Sequence, residues 1–118
     1  MLCWDGGRNA RAIADAQPFL ARAKSIELVT VSADIKGDEL READIARHLA
    51  RHQLKVEVEN IIATDLDVPN AILSHAADTS ADFIVMGGYG HSRLREFVLG
   101  GATRGILGTM TVPTFMSH

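Results

Sequence analysis

The chain has 118 residues, 47% of them hydrophobic and 23% charged, with a formal net charge of −3 at pH 7. That length supports one domain spanning 1–118 rather than two, and the acidic balance argues against non-specific nucleic-acid binding as the main role. No apolar run approaches the ~20 residues that cross a bilayer and no signal peptide is visible; the single cysteine, Cys3, rules out an intramolecular disulfide and fits a reducing cytoplasm.

Met1 to Trp4 is apolar and stops at Asp5-Gly6-Gly7, which reads as a strand ended by a turn. Four residues is short for an inner strand, so the chain is expected to begin inside this element, trimmed or excised from something longer. Asn9 to Lys24 reads as a helix with Ala10, Ile13, Ala14 and Leu20 on one face. Pro18 lacks the N–H that would bond to the carbonyl of Ala14 and predicts a kink there. Ile26 to Val31, rich in β-branched residues, predicts the second strand. After a polar connection containing Gly37, Glu39 to His52 is a second helix. Leu40, Ala43, Ala46, Leu49 and Ala50 recur at helical spacing, and Arg41, Glu42, Arg47 and Arg51 take the wet side. Lys55 to Ile62 sets Val56 and Val58 between Lys55, Glu57 and Glu59, the alternation of a half-buried strand at a sheet edge.

Asp67 is placed to cap a third helix, with Pro69 in its first turn where a missing N–H costs nothing; the helix runs to about Thr79. The strand Asp82 to Met86 follows, and its apolar run, Phe83 to Met86, predicts burial on both faces. Gly87, Gly88 and Gly90 then break it, letting the backbone turn tightly and approach a ligand. A final helix runs from Ala102 to about Thr109. Pro113 closes the turn after it, and Thr114 to Ser117 forms a last strand at the other edge.

Strands that alternate with helices form a parallel sheet with right-handed crossovers. The edge pattern on the third strand and the apolar fourth strand fit the order 3-2-1-4-5. The fold class is therefore α/β: an open, Rossmann-like five-stranded parallel sheet with helices on both faces. In that order the winding reverses between the first and fourth strands, and ligands bind outside the carboxyl ends of strands at such a reversal. Asp5-Gly6-Gly7 and Gly87 to Gly90 are those two carboxyl ends. Gly100 and Gly101 open the last helix, where free N–H groups and the dipole favour an anion. The pattern is neither a dinucleotide fingerprint nor a P-loop, because G-x-G-x-x-G and Gly-Lys-Ser/Thr are both missing. Simple turns leaving buried strands would use the same glycines, and Asp5 would serve equally as a turn former or cap.

Gly87-x-x-Gly90, nine residues, Gly100 with a small residue after it, and then Val112-Pro113 resemble the universal stress protein family. The resemblance runs from Trp4-Asp5-Gly6 to the terminal strand. It implies an adenine nucleotide, ATP, in the crevice: Asp5 at the adenine, Gly87 near the ribose, Gly90 and Gly100 along the phosphates. His91 would stand beside the phosphates, and Gly101 and Ala102 would offer the first N–H groups of the last helix. Where the family's ATP-binding pattern has Ser or Thr, this chain has Gly101, which keeps the N–H and loses a hydroxyl. The resemblance also implies a homodimer that pairs through Thr114 to Ser117, and a cytoplasmic stress-response role.

Between Val56 and His91 the chain has no Lys or Arg but six carboxylates, whereas Arg93, Arg95 and Arg104 follow Gly90. Solvated faces explain this, and so would an anion held beside the glycines. Arg104 opposes the dipole in the first turn of its helix, which a phosphate, Glu96 or plain solvent would relieve. His48 and His52 lie one helical turn apart without a third ligand near in sequence and read as surface residues. His91 and Ser92 are adjacent, so they diverge and form no nucleophile–base pair. No activated nucleophile or metal cluster is visible, so the expectation is a regulatory binding module and not an enzyme. The alternatives are a dimerisation module with an empty crevice and a slow ATPase.

Overall fold

Five short segments form one parallel sheet in the computed structural model, which describes residues 1–4, 10–32, 39–51, 53–63, 68–88 and 101–117. In chain order the elements are β1 (Leu2–Trp4), α1 (Ala10–Asp15), α2 (Gln17–Leu20), β2 (Ile26–Ser32), α3 (Glu39–Arg51), β3 (Val56–Ile62), α4 (Val68–Asp78), β4 (Ile84–Gly87), α5 (Gly101–Thr109) and β5 (Thr114–Ser117). The strand order is β3-β2-β1-β4-β5, as the sequence predicts. β1 has only three residues, yet it pairs with both neighbours: Leu2 aligns with Leu28 on β2 and with Val85 on β4. The N–H of Val85 donates to the carbonyl of Met1 at 2.9 Å.

Both faces of the sheet are covered, which is why its central strands read as unbroken apolar runs. On one face Leu2, Ile26, Leu28 and Val85 meet Ala12, Ile13, Ala16, Leu20 and Leu49 from α1, α2 and α3. On the other, Cys3, Ile84 and Met86 meet Ile72, Ala76 and Ile106 from α4 and α5. Leu2, Leu28, Leu49, Ile84 and Ile106 are fully buried, and each contributes roughly 1.5–3 kcal/mol by leaving water. Cys3 is a buried thiol among them, the core residue its strand position predicts. Across the second layer, His75 on α4 donates from Nε2 to Glu27 on β2 at 2.8 Å. That bond engages a carboxylate aligned beside Glu57 of the next strand, where two like charges would otherwise face each other.

Three elements differ from the sequence expectation. The helix foreseen over Asn9 to Lys24 is two helices, and the break falls at Ala16 rather than Pro18. Ala16 sits at φ −87°, ψ 0°, and Pro18 then occupies the first turn of α2, where no N–H is needed. The chain turns after Leu20 instead of continuing to Lys24. β4 starts at Ile84 and runs one residue further than foreseen, so Gly87 belongs to the strand. On β3 the alternation is incomplete: Val56 packs against the core, but Val58 is 45% exposed. Asp67, foreseen as a cap, lies outside the described residues, while Pro69 does fall in the first turn of α4. That helix ends in a Schellman turn. Ser80 has φ 55°, its N–H bonds to the carbonyl of Ala77, and the N–H of Ala81 bonds to the carbonyl of Ala76.

α4 and α5 cross at a glycine. A Cβ built on Gly105 would stand 2.6 Å from Cγ of Pro69, whereas one on Gly108 meets nothing within 4 Å. Gly105→Ala should therefore lower the unfolding free energy by about 1–3 kcal/mol through overpacking. Gly108→Ala should raise it by about 0.5–1 kcal/mol through helix propensity alone. Urea denaturation of the two variants checks both signs.

Candidate functional site

The carboxyl end of the sheet is built by register. Trp4 aligns with Thr30 on β2, and Thr30 with Asn60 on β3. Because Leu2 aligns with Val85, Trp4 comes level with Gly87, which in turn aligns with Ser117 on β5. One row, Asn60–Thr30–Trp4–Gly87–Ser117, thus crosses all five strands on the face that carries α1 and α3. The winding reverses between Trp4 and Gly87. The helices that follow these two strands, α1 and α5, pack on opposite faces of the sheet, and in folds of this kind ligands bind beyond the strand ends at such a reversal.

Among the foreseen site residues, Gly87 is the last residue of β4 and stands on this row. Gly101 and Ala102 are the first residues of α5, one residue earlier than foreseen for the helix start. By topology α5 begins at the same end of the sheet, since it crosses from the carboxyl end of β4 back to the start of β5. Asp5, Gly90, His91 and Gly100 lie outside the described residues. Beside Gly87, the N–H of Gly88 is already committed to the carbonyl of Ser117 at 2.9 Å. Its Cβ position would meet only ordinary contact, Cβ of Met116 at 3.9 Å. A ligand would therefore draw its donors from the start of α5 rather than from Gly88. Thr103, one turn into that helix, is 4% exposed, and Arg104 points to solvent.

Thr30 is a residue that the sequence reading passed over. It is 6% exposed, and its Oγ1 is buried with no hydrogen-bond partner among the described residues. A hydroxyl left unsatisfied in a core costs about 1–3 kcal/mol, and this one sits on the row beside Trp4, next to the reversal. The signal was in the sequence: Ile26, Leu28 and Thr30 share one face of β2, and the polar member stands at the carboxyl end. Ser117, at the far end of the row, instead donates its hydroxyl to the carboxylate of Asp15 on α1. That bond ties α1 to the edge of the sheet.

Two grooves among the described residues lie elsewhere. One, of about 450 Å³, runs between α1 and α3 and is lined by Ala10, Ile13, Ala14, Gln17, Ile45 and His48. The other, of about 240 Å³, opens at the amino ends of the strands around Phe19, Asp82 and Phe83. Neither includes a residue of the row. No group of three or more His, Cys, Asp or Glu among the described residues is placed to hold a metal ion. No helix among them is long and apolar enough to cross a membrane.

The universal stress protein family model matches residues 8–118. A universal stress protein of Synechocystis sp. is 32% identical over 65 residues; the match takes in 55% of this chain and 22% of that relative, so the chain corresponds to about a fifth of its length. Among solved structures, a universal stress protein from Archaeoglobus fulgidus superposes with a TM-score of 0.75 at 20% identity, over 98% of this chain and 41% of that one. A universal stress protein in complex with cAMP superposes with a TM-score of 0.73 at 20% identity, over 99% of this chain and 93% of that one.

The orphaned hydroxyl gives a direct test of the row. Thr30→Val keeps the shape and removes the unsatisfied group, so the ligand-free protein should gain about 1 kcal/mol in unfolding free energy. Thermal denaturation reads the gain; a loss of stability would mean that Oγ1 has a partner after all.

Proposed function

This chain belongs to the universal stress protein family, and from that premise we propose that it is a regulatory module whose crevice between β1 and β4 takes an adenine nucleotide, ATP. The observation that carries the reading is the row at the carboxyl end of the sheet. It sets Gly87 beside Trp4 at the reversal and leaves the hydroxyl of Thr30 without a partner next to them. A nucleotide there would bring polar groups to that hydroxyl and a phosphate to the start of α5. The solved neighbour in complex with cAMP supports a nucleotide of this kind in the fold.

Asp5, Gly90, His91 and Gly100 complete the proposed site, with Gly87, Gly101 and Ala102. Gly101 offers its backbone N–H to a phosphate and no hydroxyl. The missing bond weakens affinity by about 0.5–1.5 kcal/mol without removing the site. The module acts by occupancy, not catalysis. Gly87 is aligned with Ser117, and the Gly88 N–H holds the Ser117 carbonyl, so the ligand end of β4 and the edge strand β5 share a hydrogen bond. β5 has an open edge and four half-buried residues, which suits the pairing of two copies. A ligand that orders Gly87 and Gly88 would thereby bias that edge.

Calorimetric titration with Mg·ATP tests the site. The unaltered chain should bind at micromolar concentration, and Gly101→Ser should bind about 2- to 10-fold more tightly, the value of one added neutral hydrogen bond. Thr30→Val, although more stable, should bind more weakly. No heat from either the unaltered chain or Gly101→Ser would overturn the nucleotide reading.

A further inference from the structure

The two edges of the sheet are unlike. β5 offers four half-buried residues. β3 offers seven, and Glu57, Val58, Glu59, Asn60 and Ile62 are all exposed. At about 3.3 Å per residue, β3 is a template roughly 23 Å long. Its backbone is turned the right way for addition. The N–H of Ile26 donates to the carbonyl of Lys55 at 2.9 Å, and in a parallel ladder alternate residues face the neighbour. Lys55, Glu57, Glu59 and Ile61 therefore bond toward β2, and the N–H and C=O groups of Val56, Val58 and Ile62 point outward.

The side chains specify what such a strand must carry. On the face of α1 and α3, Val58 is 45% exposed and Ile62 58% exposed, a stripe of bare apolar surface. On the face of α4 stand Glu57 and Glu59, and neither forms an ion pair among the described residues. The neighbouring carboxylate, Glu27, is already engaged by His75. Lys55 flanks Glu57 on the same face, but no further Lys or Arg occurs between Val56 and His91, so the two carboxylates outnumber the one local cation. A second copy is a poor fit. Full antiparallel overlap of two β3 strands sets Glu59 against Glu59 and brings four carboxylates to one seam.

We propose that the outer edge of β3 is a docking site for an extended cationic segment of another protein, added to the sheet as a sixth strand. The partner segment alternates Lys or Arg, facing Glu57 and Glu59, with apolar residues that cover Val58 and Ile62. Its main chain bonds to the outward groups of Val56, Val58 and Ile62. Affinity comes from the backbone ladder, and specificity from the alternating side chains. This edge lies two strands out from β1 and does not depend on nucleotide binding.

The test uses the intact chain and a fluorescent peptide of alternating Lys and Val, with a Glu/Val peptide of the same length as control. The Lys/Val peptide should bind, more weakly as salt rises, and the Glu/Val peptide should not. Glu57→Lys with Glu59→Lys should reverse the preference, with a change of about tenfold for each peptide. Val58→Pro removes an outward N–H and leaves the β2 ladder intact. It should abolish binding with little change in the melting temperature. Binding that survives Val58→Pro, or that ignores the charge reversal, would overturn the proposal. So would sedimentation showing that the chain self-associates through this edge, with dimer lost in Val58→Pro.

Discussion

The pairing of β1 with β4 is the constraint on which the rest depends. β1 is three residues long, fully buried at Leu2, and hydrogen-bonded on both sides. With β4 it stands where the two halves of the winding meet, β2 leading outward to β3 on one side and β4 to β5 on the other. Because crossovers are right-handed, connections in the first half pass over one face and those in the second half over the other. That separates the helices into two layers and the core into two clusters. It also sets the reversal of the winding at the carboxyl ends of β1 and β4, where the two halves part.

The two layers are fastened differently. α1 and α2 are short and interrupted, and side-chain contacts hold them down: Ser117 to Asp15, and Phe19 stacked 5.1 Å from Phe83 and 5.7 Å from Phe115. Phe19 remains half exposed, so the layer over β4 and β5 is thin. On the opposite face α4 and α5 interlock through Gly105 and Pro69. The thinner layer lies on the face that carries the row from Asn60 to Ser117. A region held by few contacts yields more readily to a ligand than a locked one, which suits a module that acts through occupancy.

Much of the fold was legible in the residues. Val-, Ile- and Leu-rich segments marked β2, β3 and β4, short apolar stretches bounded by turn residues marked β1 and β5, the charged alternation in Lys55 to Ile62 marked an edge, and Pro69 marked the first turn of α4. The order 3-2-1-4-5 followed from those edge and core signatures together. What sequence could not resolve had physical causes. Pro18 signalled a disturbance, but whether a helix bends or restarts depends on packing, and Ala16 and Leu20 are both drawn into the core. Val58 looked inward by alternation, yet it is 45% exposed while Val56 packs against the core. The site was legible in part: the glycines pointed to the crevice, and register brought Gly87 level with Trp4. Thr30 escaped notice because a threonine in a strand is unremarkable until its neighbours are known to leave its hydroxyl alone.

The most direct test of the central claim is a two-dimensional amide NMR titration of the unaltered chain with Mg·ATP, read residue by residue. The largest shifts should fall at Trp4, Thr30, Gly87, Gly88 and the first turn of α5, while Ile26, Ile84 and the outer strand β3 stay quiet. Shifts centred instead on Ala10, Ile13, Ile45 and His48 would place the ligand in the groove between α1 and α3, and would contradict the claim that the reversal between β1 and β4 makes the site.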